Sequence, residues 1–315
     1  MNDTQALENT LNNAIGQIVF GANRLVHHMT IALIARGHML LQGPPGLGKT
    51  LLAKTLASLL GGEFGRIQGT ADLMPADMTG VHVIRDDGQL TLLQGPLFAQ
   101  VVIIDEINRA GPKTQSALLQ AMEERAVTID RKVYPLPEDF LVIATQNPHE
   151  FEGTYPLPES QLDRFLMLLD LVYPDAAVEQ QVLRAYDKPD RDHTQRLRAI
   201  QKISSDGLQA AQRHTAGLHI ADTLYDYATA IANATRNDHH VSLGLSTRGL
   251  LALLRCARAE AALRGSDFVA PDDLKAVAMP VMGHRLILTP DAELEGIRAT
   301  QVVAEILDSV AVPRG

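Results

Sequence analysis

Gly43-Pro-Pro-Gly-Leu-Gly-Lys-Thr50 fits the phosphate-binding pattern G-x-x-x-x-G-K-[ST], set between the apolar run Met39–Gln42 and a helical pattern, Leu51–Leu60. Glycines there let backbone N–H groups wrap a phosphate, and the helix N-terminus adds a partial positive charge. Lys49 is the cation for the outer phosphates of a nucleotide, and Thr50 offers its hydroxyl to Mg2+. Gly43, Pro45, Gly46, Leu47, Gly48 and Leu51 complete the cradle. Val101-Val-Ile-Ile-Asp105-Glu106 drives an apolar run into two adjacent carboxylates, which is costly unless they meet a cation or a catalytic need. Asp105 suits the metal, directly or through water; Glu106 suits a base that orients and polarises an attacking water. Asn147 ends a third apolar run, Phe140–Gln146, and its amide would bridge that water and the terminal phosphate. Taken alone, an Asn after a strand is a turn residue.

Two arginines are oddly placed. Arg248 follows Ser246-Thr247, an N-cap signal, and so falls in the first turn of a helix running to Leu263. An exposed cation there opposes the helix dipole by about 0.3–1 kcal/mol, a cost that a docked phosphate would reverse. Arg164, in Gln161-Leu-Asp-Arg-Phe165, stands between a Pro-rich loop and an apolar run, from where it could reach out of its own domain. For either one alone, a surface salt bridge is the simpler assignment.

Groups from such distant segments meet only if a sheet aligns their strand ends. Up to about residue 188 short apolar runs alternate with helical patterns and Gly/Pro punctuation, the signature of βαβ units on a parallel sheet. Met39–Gln42, Val101–Ile104 and Leu141–Thr145 are apolar almost throughout, as strands buried on both faces are. After Pro189 strand signals stop, and Leu224, Tyr227, Ala228, Ile231 and Leu250, Leu253, Leu254, Ala257 repeat at helical spacing. The pattern predicts an α/β domain over 1–188 and an all-helical one over 189–315, linked by the polar stretch Asp187–His193. Two hairpins interrupt the first: Val81–Ile84 with Gln89–Leu93 around Asp87-Gly88, and Val127–Ile129 with Val133–Leu136, whose turn lacks a Gly.

The 315 residues are 46% hydrophobic and 21% charged, which excludes a disordered or fibrous chain. Lys and Arg number 28 against 37 Asp and Glu, so the net charge of -9 argues against a duplex-binding domain. Aromatics at 4%, with no Trp, leave few rings for stacking bases. One cysteine, Cys256, excludes an internal disulfide framework and a Cys-based zinc site, and suits core filler. His27-His28 and His239-His240 read as surface pairs, since sequence neighbours on a helix or strand face different ways. The N-terminal stretch has no apolar segment of signal-peptide length, and runs such as Met29–Ala35 are too short to span a bilayer. A cytoplasmic protein without membrane insertion is expected.

Together these stretches resemble the AAA+ ATPases, and specifically the MoxR family. The resemblance covers nearly the whole chain. It rests on Gly43–Thr50, Asp105-Glu-Ile-Asn-Arg-Ala110, Pro112–Leu119, Ala121-Met-Glu-Glu124, Ala144-Thr-Gln-Asn-Pro148, Glu152–Pro158 and Gln161–Phe165. It implies an ATP-hydrolysing P-loop core, with a parallel sheet flanked by helices, and a C-terminal helical lid. It implies that Lys49 and Thr50 form Walker A, Asp105 and Glu106 Walker B, Asn147 sensor 1 and Arg248 a lid-borne sensor 2. Arg164 becomes the arginine finger for a neighbouring subunit. Ile15-Gly16-Gln17 resembles the segment that lies against the adenine, and the hairpins resemble the family's helix-2 and pre-sensor inserts.

Further expectations are a homo-oligomeric ring, most simply a hexamer, a protein client, and a separate partner bearing a von Willebrand factor A domain. Residues 65–97 contain no Phe, Tyr or Trp, so the aromatic pore loop of polypeptide-threading relatives has no match there. Other readings of the same motifs are a nucleic-acid motor, a magnesium-chelatase ATPase subunit and a small-molecule P-loop kinase. The first would show DNA-stimulated turnover that falls with salt. The second would respond to porphyrin-handling subunits, and the last would need neither Arg164 nor a ring.

Overall fold

The apolar runs around the candidate site form the middle of a five-stranded parallel sheet in the computed structural model, which describes residues 3–16, 18–44, 46–86, 88–147, 153–187 and 202–313. Gln17, Pro45, Asp87 and nearly all of the expected linker lie outside the described residues. The chain runs α1 (Asp3–Gly16), α2 (Asn23–Ile34), β1 (Met39–Gln42), α3 (Lys49–Leu60), β2 (Phe64–Gln68), α4 (Pro75–Thr79), β3 (Gly80–Ile84) and β4 (Leu90–Gln94). Then come β5 (Val101–Asp105), α5 (Pro112–Glu124), β6 (Ala126–Ile129), β7 (Lys132–Pro135), β8 (Leu141–Gln146), α6 (Glu159–Leu162), β9 (Met167–Asp170) and α7 (Ala176–Tyr186). The second half holds α8 (Ser205–Ala216), α9 (Asp222–Asn237), β10 (Val241–Leu243), α10 (Thr247–Arg264), α11 (Pro271–Met282), β11 (Ile287–Leu288), α12 (Pro290–Leu294) and α13 (Ala299–Ser309).

The sheet order is β2-β5-β8-β1-β9. Helices cover both faces, so alternate side chains of each central strand enter different cores. Val101, Ile103, Leu141, Ile143, Met39 and Leu41 join the core shared with the helical half. Val102, Ile104, Val142, Ala144 and Leu40 join a second core under α5 and the hairpins. In-register pairing of Gln68 with Asp105, Ile104 with Ala144, and Gln42 with Gln146 brings the carboxyl ends of four strands level. Ligands of open parallel sheets bind there.

Both expected hairpins form, as β3–β4 and β6–β7. The second turns without glycine because Asp130 and Arg131 both take positive φ, 47° and 67°, the pair of left-handed conformations that a two-residue hairpin loop needs. His82 ties the hairpins together, its Nδ1 2.7 Å from Asp130 Oδ2 and its Nε2 3.1 Å from Tyr134 Oη. The second half departs from an all-helical expectation by one short antiparallel ribbon, β10–β11. Strands of this length are too short to print an alternating pattern on the sequence.

The N-terminal helix joins the two halves. His27 of α2 lies between Glu8 of α1 and Glu260 of α10, at 2.6 and 2.8 Å. The hydrogen bond to Glu260, helped by Glu8, outweighs desolvation and raises the imidazole from 6.5 to about 9. A raised folded-state value stabilises the fold fully below pH 6.5, and that contribution disappears as pH climbs through about 9. Thermal midpoints should therefore fall between pH 7 and 10, and His27→Gln should flatten that part of the profile. An unchanged slope in the variant would remove His27 from this role.

Candidate functional site

Gly43 leaves β1 at the level of Gln146, and the loop then winds into α3. Gly48 caps that helix with φ 76°, a left-handed turn that lets the next N–H groups face one point; a β-carbon would strain it. Lys49 Nζ donates to Gly43 O at 2.6 Å, folding the side chain back across the cradle. Desolvation lowers the ammonium below its ordinary value, opposed by Asp105 and Glu106. Thr50 Oγ1 lies 3.3 Å from Asp105 Oδ2. A hydroxyl and a carboxylate are hard oxygen donors of the kind Mg2+ takes, so these two residues fit that ion and would hold it.

Glu106 lies one residue beyond β5 with φ 58°. A non-glycine residue held there costs about 1–3 kcal/mol and persists only where surroundings dictate it. Here the Glu106 N–H donates to Thr145 Oγ1 of the adjacent strand at 3.0 Å. From the other side Gly69 lies so close that a β-carbon would stand 2.1 Å from Glu106 O, which accounts for a glycine at 69. The Glu106 side chain accepts from Gln68 Nε2 at 3.2 Å and meets Arg109 at 3.6 Å. Asp105 in turn takes Arg66 at 2.9 Å. Arg66 and Gln68 were not anticipated; their signal is a pair of long polar residues two apart in β2, hence on one face. Asn147 follows β8 directly, level with the strand end that precedes Gly43.

Lys49, Gly46, Leu47, Gly48 and Leu51 line a cleft of about 1400 Å3. Its apolar wall includes Ile18, Phe20 and Tyr186, with Tyr186 Oη donating to Ile18 O at 2.6 Å and the Phe20 and Tyr186 rings edge-to-face. That wall suits a flat base. Of the expected adenine segment, Ile15 is fully buried and Gly16, the last residue of α1, does not line the cleft, Gln17 lies outside the described residues, and the wall is lined from Ile18 onward. The helical half closes the cleft through Met279, Gly283, His284 and Thr300.

Neither Arg164 nor Arg248 lines that cleft. Both line a second one of about 520 Å3, with Arg36, Arg125, Arg255 and Glu123. Arg164 Nη1 meets Glu123 Oε2 at 3.0 Å, and Arg248 Nη2 meets Glu123 Oε1 at 2.6 Å. The simple salt-bridge assignment thus describes their resting contacts. The Arg164 Nε is buried without an acceptor among the described residues. Ser246 does cap α10, accepting from Gly249 N, and its Oγ also donates to Asp163 at 2.9 Å. That bond places the first turn of α10 beside Asp163, and Arg248 lies on the same second cleft.

Comparison with known proteins matches residues 38–167 to the ATPase family associated with various cellular activities (AAA) and residues 233–306 to the AAA lid domain. Chaperone MoxR1 of Mycobacterium tuberculosis is 39% identical over 95% of this chain and 81% of its own. The chain belongs to the MoxR family of AAA+ ATPases. Protein YeaC of Bacillus subtilis, which has no assigned role, is 42% identical over 95% of this chain and 92% of its own. The crystal structure of a presumed ATPase from Cytophaga hutchinsonii superposes with a TM-score of 0.90, at 36% identity, covering 99% of this chain and 97% of that one.

This MoxR-family member is an ATPase with an AAA core and a helical lid. Among its described residues no helix is long and apolar enough to cross a membrane. Cys256 is fully buried and its thiol is pushed up to about 12 by that burial, as core filler should be. The histidine pairs are less uniform than surface pairs. His28 is buried and its Nδ1 donates to Arg24 O at 2.9 Å, while the His239 and His240 rings tilt together at 3.7 Å. The latter pair lies in a turn, where the alternation of helix and strand does not apply.

Proposed function

We propose that this ATPase works as a ring, most simply a hexamer, in which each P-loop cleft is completed by Arg164 and Arg248 of the adjacent subunit. The observation that carries this reading is their joint position on a cleft separate from the P-loop. Two arginines held by one carboxylate, one of them with a buried Nε lacking an acceptor, are suited to an incoming phosphate. Within a subunit, Lys49 holds the outer phosphates, and Thr50 and Asp105 hold Mg2+, which when bound neutralises phosphate charge. Glu106 takes a proton from the attacking water, and Asn147 fixes that water against the terminal phosphate. Because Met279, Gly283, His284 and Thr300 of the helical half wall the cleft, the lid shifts against the P-loop as the nucleotide changes.

That motion is proposed to remodel or mature a protein client in the cytoplasm, with a separate von Willebrand factor A domain protein as partner. MoxR1, the M. tuberculosis relative, is named a chaperone. The β3–β4 hairpin supports a protein rather than a nucleic-acid client, since Val81, Ile84, Leu90 and Leu93 are exposed on it. The test is the mass of Glu106→Gln with and without ATP, followed by recovery of bound material from lysate. A multi-subunit particle with ATP, carrying protein, is expected. A monomer under saturating ATP would sink the ring, and ATP-dependent recovery of nucleic acid would favour a motor.

A further inference from the structure

Among the described residues, Arg285, three residues past α11, carries a dense set of side-chain hydrogen bonds outside the P-loop. Its side chain is 3% exposed. The Nε donates to Asp163 Oδ1 at 2.6 Å, and Nη2 donates to Asp163 O at 3.1 Å and Phe165 O at 2.6 Å. Nη1 reaches Leu166 O at 3.1 Å, Val281 O, and His284 Nε2 at 2.9 Å. Burying a guanidinium so completely is poor evidence for a purely stabilising role, because apolar replacements of buried ion pairs often match or exceed them. The contacts are better read by what they connect.

On one side they connect to the nucleotide. Gly283 and His284, the two residues before Arg285, line the P-loop cleft. On the other side they connect to both arginines of the second cleft. Asp163 and Phe165, gripped by Arg285, flank Arg164 in the chain. Asp163 also accepts from Ser246, the cap of the helix whose first turn carries Arg248. Beyond that, a β-carbon on Gly249 would stand 2.8 Å from Arg285 Cδ, so the turn bearing Arg248 presses directly on the Arg285 stem. One buried side chain therefore touches the lid wall of one cleft and the immediate chain neighbours of both arginines at the other.

We propose that Arg285 is a positioning residue, which transmits the state of a subunit's own P-loop cleft to the Arg164–Arg248 pair that the subunit presents to its neighbour. The inference rests on the trans reading above and adds the link inside the chain. When the lid wall shifts with the bound nucleotide, Gly283 and His284 move with it, and the rigid planar fork of Arg285 carries Asp163 and Phe165 along. Glu123, held by both arginines, keeps the pair together during the shift.

Mixed rings test this. A donor chain carrying Glu106→Gln supplies intact arginines but has a dead site; an acceptor chain carrying Arg164→Ala has a competent base but supplies no finger. Each alone should turn over little. An equal mixture should recover about a quarter of wild-type turnover, the chance that neighbours in a head-to-tail ring are ordered donor to acceptor. Arg285→Lys, which keeps the charge and loses the fork, is then added to one chain at a time under saturating ATP. In the donor it should cut the recovered turnover at least about tenfold, since small misplacements of a catalytic group cost that much or more. In the acceptor it should leave the recovery within about twofold. Equal loss in both placements would mean a general structural role, and no loss in either would remove the link; both overturn the proposal. If Arg285→Lys fails to fold, judged by binding of a fluorescent ATP analogue, Asp163→Asn is placed in the same two positions with the same expectations. Failure of the parent mixture to recover any activity would remove the trans reading and this inference together. Recovery that ignores Arg285 and Asp163 would remove this inference alone.

Discussion

Glu106→Gln is expected to bind ATP about as well as the parent chain while turnover falls by about 10²–10⁴, the usual worth of a positioned general base. Glutamine keeps the length and shape of the side chain, so the geometry around it should persist. That geometry is set mainly by backbone: the φ of 58°, the N–H bond to Thr145 Oγ1, and the close approach of Gly69 do not depend on the carboxylate. The phosphate cradle and Lys49 are untouched, and removing one negative charge near the phosphates favours binding, if anything. What is lost is the proton acceptor. Equilibrium binding of an ATP analogue set against single-turnover hydrolysis separates the two. Parallel losses of binding and turnover, or a turnover drop below tenfold, would take Glu106 out of the role.

The central strands could be read from the sequence because burial on both faces forces continuous apolar runs. Val101–Ile104 has no alternative use for four consecutive aliphatic residues. The edge strands could not be read so. β2 and β9 stand at the two ends of the sheet, with one neighbour each, and β2 carries Arg66 and Gln68 among its five residues. Those polar residues belong to the site, which is why the strand does not look like one. The β6–β7 hairpin was legible despite its turn, since alternating apolar residues on both sides outweighed the missing glycine. The β10–β11 ribbon was not, because its registration comes from loops closing between helices.

At the site, legibility followed backbone constraint. Lys49, Thr50, Asp105, Glu106 and Asn147 are tied to strand ends and a glycine loop, whose local sequence is restricted enough to be recognised. Arg248 is different. Its helix and its cap are visible in the sequence, yet which cleft the first turn faces depends on Asp163, eighty-odd residues away, accepting from Ser246. Glu123 was visible only as part of the stretch Ala121–Glu124, with no role attached: a glutamate near the end of an amphipathic helix looks like any solvated residue until two arginines arrive at it. Arg285 was hidden for the opposite reason, as a cation in an apolar stretch whose partners are mostly backbone carbonyls.

Arg164→Ala should lower turnover by about 10³–10⁵, the range for an arginine that stabilises transferring phosphate charge from outside the binding subunit. ATP affinity should change little, because Arg164 does not line the P-loop cleft of its own chain. The alternative, that Arg164 merely holds Glu123, predicts something else. Its partner carboxylate is 43% exposed, and exposed pairs are worth about 0–1 kcal/mol, too little to account for such a drop. Glu123→Gln discriminates further, since it removes the resting ion pair and leaves the arginine in place. If Arg164 acts on a neighbour's nucleotide, Glu123→Gln should cost far less than Arg164→Ala. If the ion pair is all that matters, the two variants should be equally impaired. Concentration provides the final check: a residue supplied by another subunit gives a specific activity that rises with protein concentration until the ring is saturated. Specific activity that stays flat from nanomolar to micromolar protein, with the chain sedimenting as a monomer throughout, would rule out delivery between subunits.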